Sequence, residues 1–242
     1  MVYVGSKNRL SKELAPIIQS YITTDTKGYL EPFVGGANMI DKIEFEYKYG
    51  FDIHEPLIEL LKYVQNPNNK LPKTISEDEY NKVKENRECY PLWYQGLVGF
   101  SCGFGGKYFG GYARGMKSDG ITHRDIPNER IRNIEKQRPN LKNIKFQCRN
   151  FLDLPKEKIK GYVIYCDPPY RNTTKYATEN FPYEEFYQWC KDMSKDNIVL
   201  ISEYDMPDEF ECIWEQEVKN SLGSGVNKTN NNRVEKLFKY VG

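Results

Sequence analysis

The beginning of the chain alternates between the hydrophobic patterns of strands and those of helices. Residues 28–33 (GYLEPF) predict a strand that runs into a glycine turn, and residues 37–45 (ANMIDKIEF) predict the helix that follows it. Residues 48–53 (KYGFDI) predict a second strand, and residues 57–64 (LIELLKYV) predict a second helix. This alternation favours an α/β fold with a doubly wound, mostly parallel sheet, because crossover helices connect parallel strands.

Strand patterns return only after residue 143. The strands predicted there are 144–148 (IKFQC), 162–166 (YVIYC), 197–204 (NIVLISEY) and a final pair near 212–219 and 233–241. The stretch between the two strand regions contains helical patterns and loops. We therefore expect residues 1–57 and 144–242 to form one domain, and residues 58–143 to form an inserted, mainly helical domain.

Positive charge is concentrated in one segment of the chain. The net charge of the 242 residues is only +1, but the segment from Lys107 to Arg149 contains eleven Lys or Arg and four Asp or Glu. A local excess of this kind favours an anionic partner such as nucleic acid. The alternative is a solvated basic face with no partner.

Other features of the composition exclude several classes of protein. No run approaches the ~20 apolar residues of a membrane span, and the N-terminus has no apolar segment typical of a signal peptide. The six cysteines include no Cys-x-x-Cys pair, which makes a zinc site unlikely. We therefore expect a cytoplasmic protein that has no membrane partner and binds no metal.

The glycine turn after the first predicted strand is a candidate ligand site. Gly35 and Gly36 allow a ligand to approach the backbone, and Asp52 ends the next strand, where such folds place an acid on a ribose hydroxyl. The Gly-x-Gly-x-x-Gly pattern of pyrophosphate sites is absent, and Glu31 before the turn suits a cation. These residues favour a nucleoside without phosphates, although an ordinary tight turn is an alternative.

The sequence Asp-Pro-Pro-Tyr, residues 167–170, directly follows a predicted core strand. Asp167 and the backbone carbonyl of Pro168 can each accept an N–H bond from a planar amine, which frees the nitrogen lone pair for attack. Proline restricts the backbone, and Tyr170 can stack on a base. A purely structural proline turn is the alternative. The tetrapeptide and the glycine turn are both expected at the carboxyl edge of the sheet.

Together these motifs resemble the DNA adenine methyltransferases of the Dam type. The similarity covers nearly the whole chain through the segments YVGSKNRL, EPFVGGA, FDIH, IYCDPPY and RVEKLF. It implies a methyltransferase fold in which residues 1–57 and 144–242 bind S-adenosylmethionine and residues 58–143 recognise the target. It also implies methyl transfer to the exocyclic amine of adenine, flipped out of double-stranded DNA.

The resemblance assigns site residues by position. The donor would be bound by Tyr3, Lys7, Glu31, Phe33, Gly35, Gly36, Asp52 and Asp167. The catalytic residues would be Asp167, Pro168, Pro169 and Tyr170. Two positions depart from the family pattern, because Tyr3 stands where tryptophan is frequent and Ala37 replaces a glycine.

The glycine-rich segment 103–115 (GFGGKYFGGYARG) departs most from the family, which usually reads DNA there through a hairpin rich in Asn, Arg and Phe. Basic and aromatic side chains in this region are candidates for contacts with phosphate, guanine or bases. The predicted DNA-binding residues are Lys107, Tyr108, Arg114, Lys117 and Arg124. The alternative is a flexible hairpin whose aromatic residues belong to the core.

Three other functions remain open at this point. The alternatives are methylation of RNA, methylation of a protein amide by the same chemistry, and an inactive DNA-binding relative. An intact Asp-Pro-Pro-Tyr argues against inactivity, and the basic insertion favours DNA over the other substrates. By resemblance alone, we expect a monomer or weak dimer in the cytoplasm of a bacterial or phage-infected cell.

Overall fold

The computed structural model describes residues 1–171, 181–218 and 233–242. These residues form one seven-stranded sheet with α-helices packed against it. The strands are β1 (Gly28–Glu31), β2 (Lys48–Asp52), β3 (Ile144–Cys148), β4 (Tyr162–Cys166), β5 (Ile198–Glu203), β6 (Phe210–Val218) and β7 (Arg233–Tyr240). The α-helices are α1 (Ser11–Ser20), α2 (Glu55–Gln65), α3 (Glu77–Glu85), α4 (Leu92–Ser101), α5 (Ile126–Gln137) and α6 (Tyr183–Ser194).

The strand order is β3-β2-β1-β4-β5-β7-β6. The first five strands in this order are parallel, and β7 is antiparallel to both β5 and β6. The predicted α/β fold with a mostly parallel sheet is thereby confirmed. The chain reverses its direction of strand addition between β1 and β4, and the carboxyl ends of strands beside such a reversal are the usual ligand site.

The sheet separates two apolar clusters, because successive side chains of a strand point to opposite faces. In β4, Val163 and Tyr165 pack into one cluster, whereas Ile164 and Cys166 pack into the other. Helices α1, α2, α4 and α5 contribute to the first cluster. The second is covered by the predicted apolar face of α6, which carries Phe186, Trp189, Cys190 and Met193.

The helix predicted over residues 37–45 is wrong. These residues form turns, and Ala37 has a φ of 55°. The buried ammonium of Lys48 lies 3.0 Å from the carbonyl oxygens of both Ile40 and Ile43, and it satisfies groups that a helix would have bonded internally. Met39, Ile40 and Ile43 are still buried, so the apolar spacing that predicted a helix reflects burial in turns.

Residues 58–143 share their packing with the rest of the protein. The boundary predicted at residue 57 falls inside α2, which packs on β2, β3 and α4. Leu97 of α4 and Ile131 of α5 lie in the same apolar cluster as Tyr29 of β1. The helical insertion is therefore continuous with the core of the sheet, and its division into a separate domain stays a prediction.

Candidate active site

Acidic side chains stand at the carboxyl ends of four neighbouring parallel strands. β1 ends at Glu31, β2 at Asp52 and β5 at Glu203, and Asp167 directly follows β4. Glu31 and Glu203 are each 2% exposed, and Asp52 is 9% exposed. Because the four strands run in the same direction, their acids line one edge of the sheet. Such an edge disfavours phosphate and suits a cationic ligand.

Lys7 brings an ammonium to this acidic edge from a short 3-10 helix, Lys7–Arg9. Its Nζ lies 2.8 Å from Oδ1 of Asp167 and 3.8 Å from Oε2 of Glu235. The same atom lies 4.3 Å from the centre of the Tyr170 ring. One cation therefore contacts two carboxylates and one aromatic face, all within the buried end of the sheet.

Burial and neighbouring charges shift the pKa values of Asp167 and Lys7 in opposite directions. Burial raises the pKa of Asp167, and the neighbouring Lys7 ammonium opposes the rise. Burial alone would lower the pKa of Lys7, but the carboxylates of Asp167 and Glu235 outweigh it, so that the pKa is raised. Lys7 is therefore charged at neutral pH, and its charge favours the ionised form of Asp167.

Side chains from three directions fix the turn formed by Asp-Pro-Pro-Tyr. The hydroxyl of Tyr183, in α6, donates to the carbonyl oxygen of Pro169 at 3.0 Å. The Tyr170 hydroxyl donates to Oε2 of Glu235 at 3.0 Å. The Tyr170 ring packs edge-on against Tyr204, with ring centres 4.6 Å apart. These contacts give the tetrapeptide a defined position beside β4.

The glycine turn and Asp52 form the second half of the site. Oδ2 of Asp52 accepts a bond from the Gly35 backbone N–H at 3.1 Å, and Oδ1 accepts one from the His54 N–H at 3.0 Å. Gly35 has a φ of 47°, and a Cβ at this position would lie 2.9 Å from the Tyr3 ring. Glycine is thus required there by the backbone conformation and by the close approach of Tyr3.

Tyr3 connects the two halves electrostatically. Its pKa is raised, first by burial and then by the negative charges of Asp52 and Asp167. The residues predicted for donor binding and for catalysis therefore share one region. The structure places Tyr3 and Asp52 at the glycine turn, and Lys7 at Asp167.

Glu31 and Phe33 occupy more interior positions. Burial raises the pKa of Glu31 well above its ordinary value. The hydrogen bond that its carboxylate accepts from the Tyr29 hydroxyl, at 2.7 Å, lowers the pKa but does not offset the effect of burial. The half-buried ring of Phe33 packs against Phe151 and Phe186, with ring centres 5.2 and 5.6 Å apart. Both residues support the walls of the site.

This arrangement coincides with a family match. The family model for D12 class N6 adenine-specific DNA methyltransferases matches residues 3–92 and 116–221. The chain belongs to this family. It is therefore an enzyme that methylates the N6 amine of adenine in DNA with S-adenosylmethionine as the methyl donor. A comparison with curated protein sequences found no significant match.

The match to the D12 family omits residues 93–115, which contain most of α4 and the glycine-rich segment 103–115. That segment packs against Tyr3, because a Cβ on Gly106 would lie 3.1 Å from the backbone nitrogen of Tyr3. The part of this methyltransferase that departs from the family therefore lies next to a predicted donor residue.

The predicted DNA-binding residues occupy different environments. Lys107 and Lys117 are exposed, whereas the half-buried Tyr108 ring packs against His54 and Phe100, with ring centres 4.4 and 5.0 Å apart. Arg114 forms an ion pair with Glu77, and Arg124 forms one with Glu129. Tyr108 therefore contributes to packing, and the two arginines have protein partners that DNA phosphates would compete with.

Three residues of the site were missed in the sequence. The Gln137 amide, from α5, donates to the carbonyl oxygen of Ala37 and to Oδ2 of Asp41, each at 2.9 Å, and thus supports the glycine turn. Glu203 ends β5 in the same way that Asp52 ends β2, and this signal was available. Glu235 lies in the segment RVEKLF, which the family resemblance included without a role.

Two general features concern metals and membranes. In residues 1–171, 181–218 and 233–242, no group of three or more His, Cys, Asp or Glu side chains is arranged to hold a metal ion. Across the same described residues, the helices are too short or too polar to cross a membrane.

Proposed function

We propose that Asp167, Pro168, Pro169 and Tyr170 are the catalytic residues that act on an adenine flipped out of double-stranded DNA. Asp167 and the carbonyl oxygen of Pro168 accept the two N–H bonds of the adenine amine. The prolines keep the backbone rigid, and the Tyr170 ring stacks on the base. The observation that carries this proposal is the position of the half-buried tetrapeptide at the end of β4, beside the reversal in strand order.

Methyl transfer requires charge to move from the donor to the amine. The nitrogen lone pair forms a bond to the methyl carbon while the carbon–sulfur bond breaks, and its electrons remain on sulfur. Positive charge develops on the amine, and the Asp167 carboxylate stabilises it before the amine loses a proton to solvent water. Catalysis then consists of positioning and electrostatics, with no covalent intermediate on the protein.

The chemistry of the residues at the sheet edge fits S-adenosylmethionine. A cationic sulfonium suits an edge at which the acids Asp52 and Asp167 lie together, with Glu31 in the interior behind them. We assign Asp52 to the ribose hydroxyls and the Tyr3 ring to the adenine of the donor. The remaining donor-binding assignments are Lys7, Phe33, Gly35 and Gly36.

We also propose that residues 58–143 recognise the DNA sequence, as a mainly helical insertion. Lys107, Tyr108, Arg114, Lys117 and Arg124 are the proposed contacts. Two observations support this: the basic excess of the segment and the packing of its glycine-rich part against Tyr3. From the family resemblance, we propose a monomer or weak dimer that works in the cytoplasm of a bacterial or phage-infected cell.

The function is tested by substrate choice. Purified protein and tritiated S-adenosylmethionine are incubated in parallel with unmethylated duplex DNA, with RNA and with protein. The proposal predicts label on DNA, recovered as N6-methyladenine after digestion. Label on RNA or protein with none on DNA would overturn it.

A further inference from the structure

Lys7 contacts two of the groups that the target adenine is proposed to use, the carboxylate of Asp167 and the ring of Tyr170. Its Nζ lies 2.8 Å from Oδ1 of Asp167, which is hydrogen-bond distance for a charged pair. It also lies 4.3 Å from the centre of the Tyr170 ring, over one of its two faces. The adenine amine and the ammonium would therefore compete for the same carboxylate.

A second carboxylate lies within reach of this ammonium. Oε2 of Glu235 is 3.8 Å from Nζ of Lys7, beyond direct hydrogen bonding but close enough for a short movement of a flexible side chain to bring them together. Oε2 also accepts the bond from the Tyr170 hydroxyl at 3.0 Å. Glu235 therefore lies near the Lys7 ammonium and binds the Tyr170 hydroxyl.

Glu235 is held firmly in this position. It lies in β7, which pairs with β5 through Lys236 opposite Glu203, and with β6 through Glu235 opposite Gln216. Leu237, two residues farther along the strand, is fully buried. The Glu235 side chain is only 15% exposed, so its charge acts on Lys7 with little screening by solvent.

We propose that Glu235 is a positioning residue that takes over the Lys7 ammonium when the target adenine binds Asp167. The same carboxylate holds the Tyr170 hydroxyl, which keeps the ring aligned for stacking. Lys7 then remains paired throughout, and Asp167 is released to accept the adenine amine without leaving a buried charge alone. This inference rests on the proposed roles of Asp167 and Tyr170.

Three substitutions separate the two actions of Glu235. Glu235→Gln retains an oxygen that accepts the Tyr170 hydroxyl bond but removes the charge that attracts Lys7. Glu235→Asp retains the charge on a shorter side chain. Tyr170→Phe removes the hydroxyl and leaves Lys7 with both carboxylates. Glu211→Gln, at an exposed position of β6, is the matched control for loss of a glutamate charge.

The experiment measures single-turnover methylation of duplex DNA, together with the binding of S-adenosylmethionine and of DNA. For Glu235→Gln we expect a rate about tenfold lower with both dissociation constants nearly unchanged, and for Glu235→Asp a rate closer to wild type. In a Lys7→Met background, Glu235→Gln should cost little more, because the ammonium that it moves is gone. Urea unfolding of each variant confirms that its fold is retained.

Wild-type rates for Glu235→Gln would overturn the inference, as would equal losses in the presence and absence of Lys7. If Glu235→Gln does not fold, Glu235→Asp replaces it. The inference is then overturned if Glu235→Asp lowers the rate by the same factor in the wild-type and Lys7→Met backgrounds. Failure of the proposed function looks different, because Asp167→Asn would then keep its activity. If Asp167→Asn loses its activity but Glu235→Gln keeps the wild-type rate, only the role of Glu235 is rejected.

Discussion

Nζ of Lys7 lies 2.8 Å from Oδ1 of Asp167, although 160 residues separate them in the chain. The contact joins the N-terminal segment, which carries predicted donor residues, to the tetrapeptide at the end of β4. Lys7 is buried and Asp167 is half-buried, so the pair acts in a setting where charges interact more strongly than in water. If Lys7 binds the donor and Asp167 accepts the target amine, as we propose, this ion pair couples donor binding to amine activation.

The first prediction concerns Asp52 and the donor. Asp52→Asn should weaken S-adenosylmethionine binding by ~1–3 kcal/mol, because one amide oxygen cannot replace two carboxylate oxygens toward Gly35, His54 and a ribose hydroxyl. Isothermal calorimetry measures the affinity. Asp25→Asn, in an N-terminal turn, is the control and should bind the donor normally. Unchanged affinity in Asp52→Asn would reject the ribose assignment.

The second prediction concerns Gln137. Its amide donates to the carbonyl oxygens of Gly36 and Ala37 and to Asp41, and all of these atoms are buried. Gln137→Ala should lower the free energy of unfolding by ~1–3 kcal/mol, because buried acceptors lose their donor. Donor affinity should fall as well, since the glycine turn loses its support from α5.

Urea unfolding and calorimetry on the same preparations measure both effects of Gln137→Ala. Gln188→Ala, at an exposed position of α6, provides the control. If Gln137→Ala is as stable as the wild-type protein and binds the donor normally, the glycine turn keeps its shape without the hydrogen bonds from Gln137.

The parallel sheet and its acidic edge follow from local sequence. The strands around Glu31, Asp52 and Asp167 are short apolar runs that end in an acid, and both signals are read within a few residues. The family resemblance then placed these residues in one site. The direct pairing of Lys7 with Asp167 is a tertiary contact, and no local pattern encodes its distance.

The turns at residues 37–45 show why other features were not predicted. The spacing of their apolar residues is helical. The Lys48 side chain, from the following strand, donates hydrogen bonds to carbonyl oxygens that backbone N–H groups would bind in a helix. Gln137 belongs to a helix whose polar residues are mostly exposed, so only the packing of α5 against the glycine turn reveals it. The sequence left two roles open for Tyr108, a DNA contact or a place in the core, and only its contact with His54 shows that it packs inside the protein.

The third prediction concerns Glu203 and pH. Burial raises the pKa of Glu203 to about 7 from an ordinary value of 4.5. The folded protein then holds this proton more tightly than the unfolded chain. The resulting stability is complete below the unfolded pKa and is lost as pH rises through the folded pKa.

Relative to Glu203→Gln, the wild-type protein should therefore lose stability between about pH 4.5 and about pH 7, by up to roughly 3 kcal/mol. Urea unfolding of both proteins across this pH range measures the difference in their free energies of unfolding. The other titrating groups contribute almost equally to both proteins, so their contributions largely cancel in this difference. A difference that does not change with pH would contradict the raised pKa.

The fourth prediction concerns DNA binding. Lys107→Ala and Lys117→Ala should each weaken binding to duplex DNA and reduce the slope of log affinity against log salt by about one, because each lysine releases one counterion. Lys160→Ala is the control, since Lys160 precedes β4 at the opposite edge of the sheet and pairs with Asp196. Fluorescence anisotropy over a range of salt concentrations measures the slopes. Equal slopes in all four proteins would remove these lysines from the interface.

The central claim is that Asp167 accepts the target amine and stabilises its developing charge. Its most direct test is the single-turnover methylation of an adenine-containing duplex by the wild-type protein, Asp167→Ala and Asp167→Asn. We predict a rate at least roughly a hundredfold lower for both variants at saturating donor, because a preorganised charged partner is lost, with DNA affinity retained. Rates near wild type in folded Asp167→Ala would contradict the account and return Asp-Pro-Pro-Tyr to a structural role.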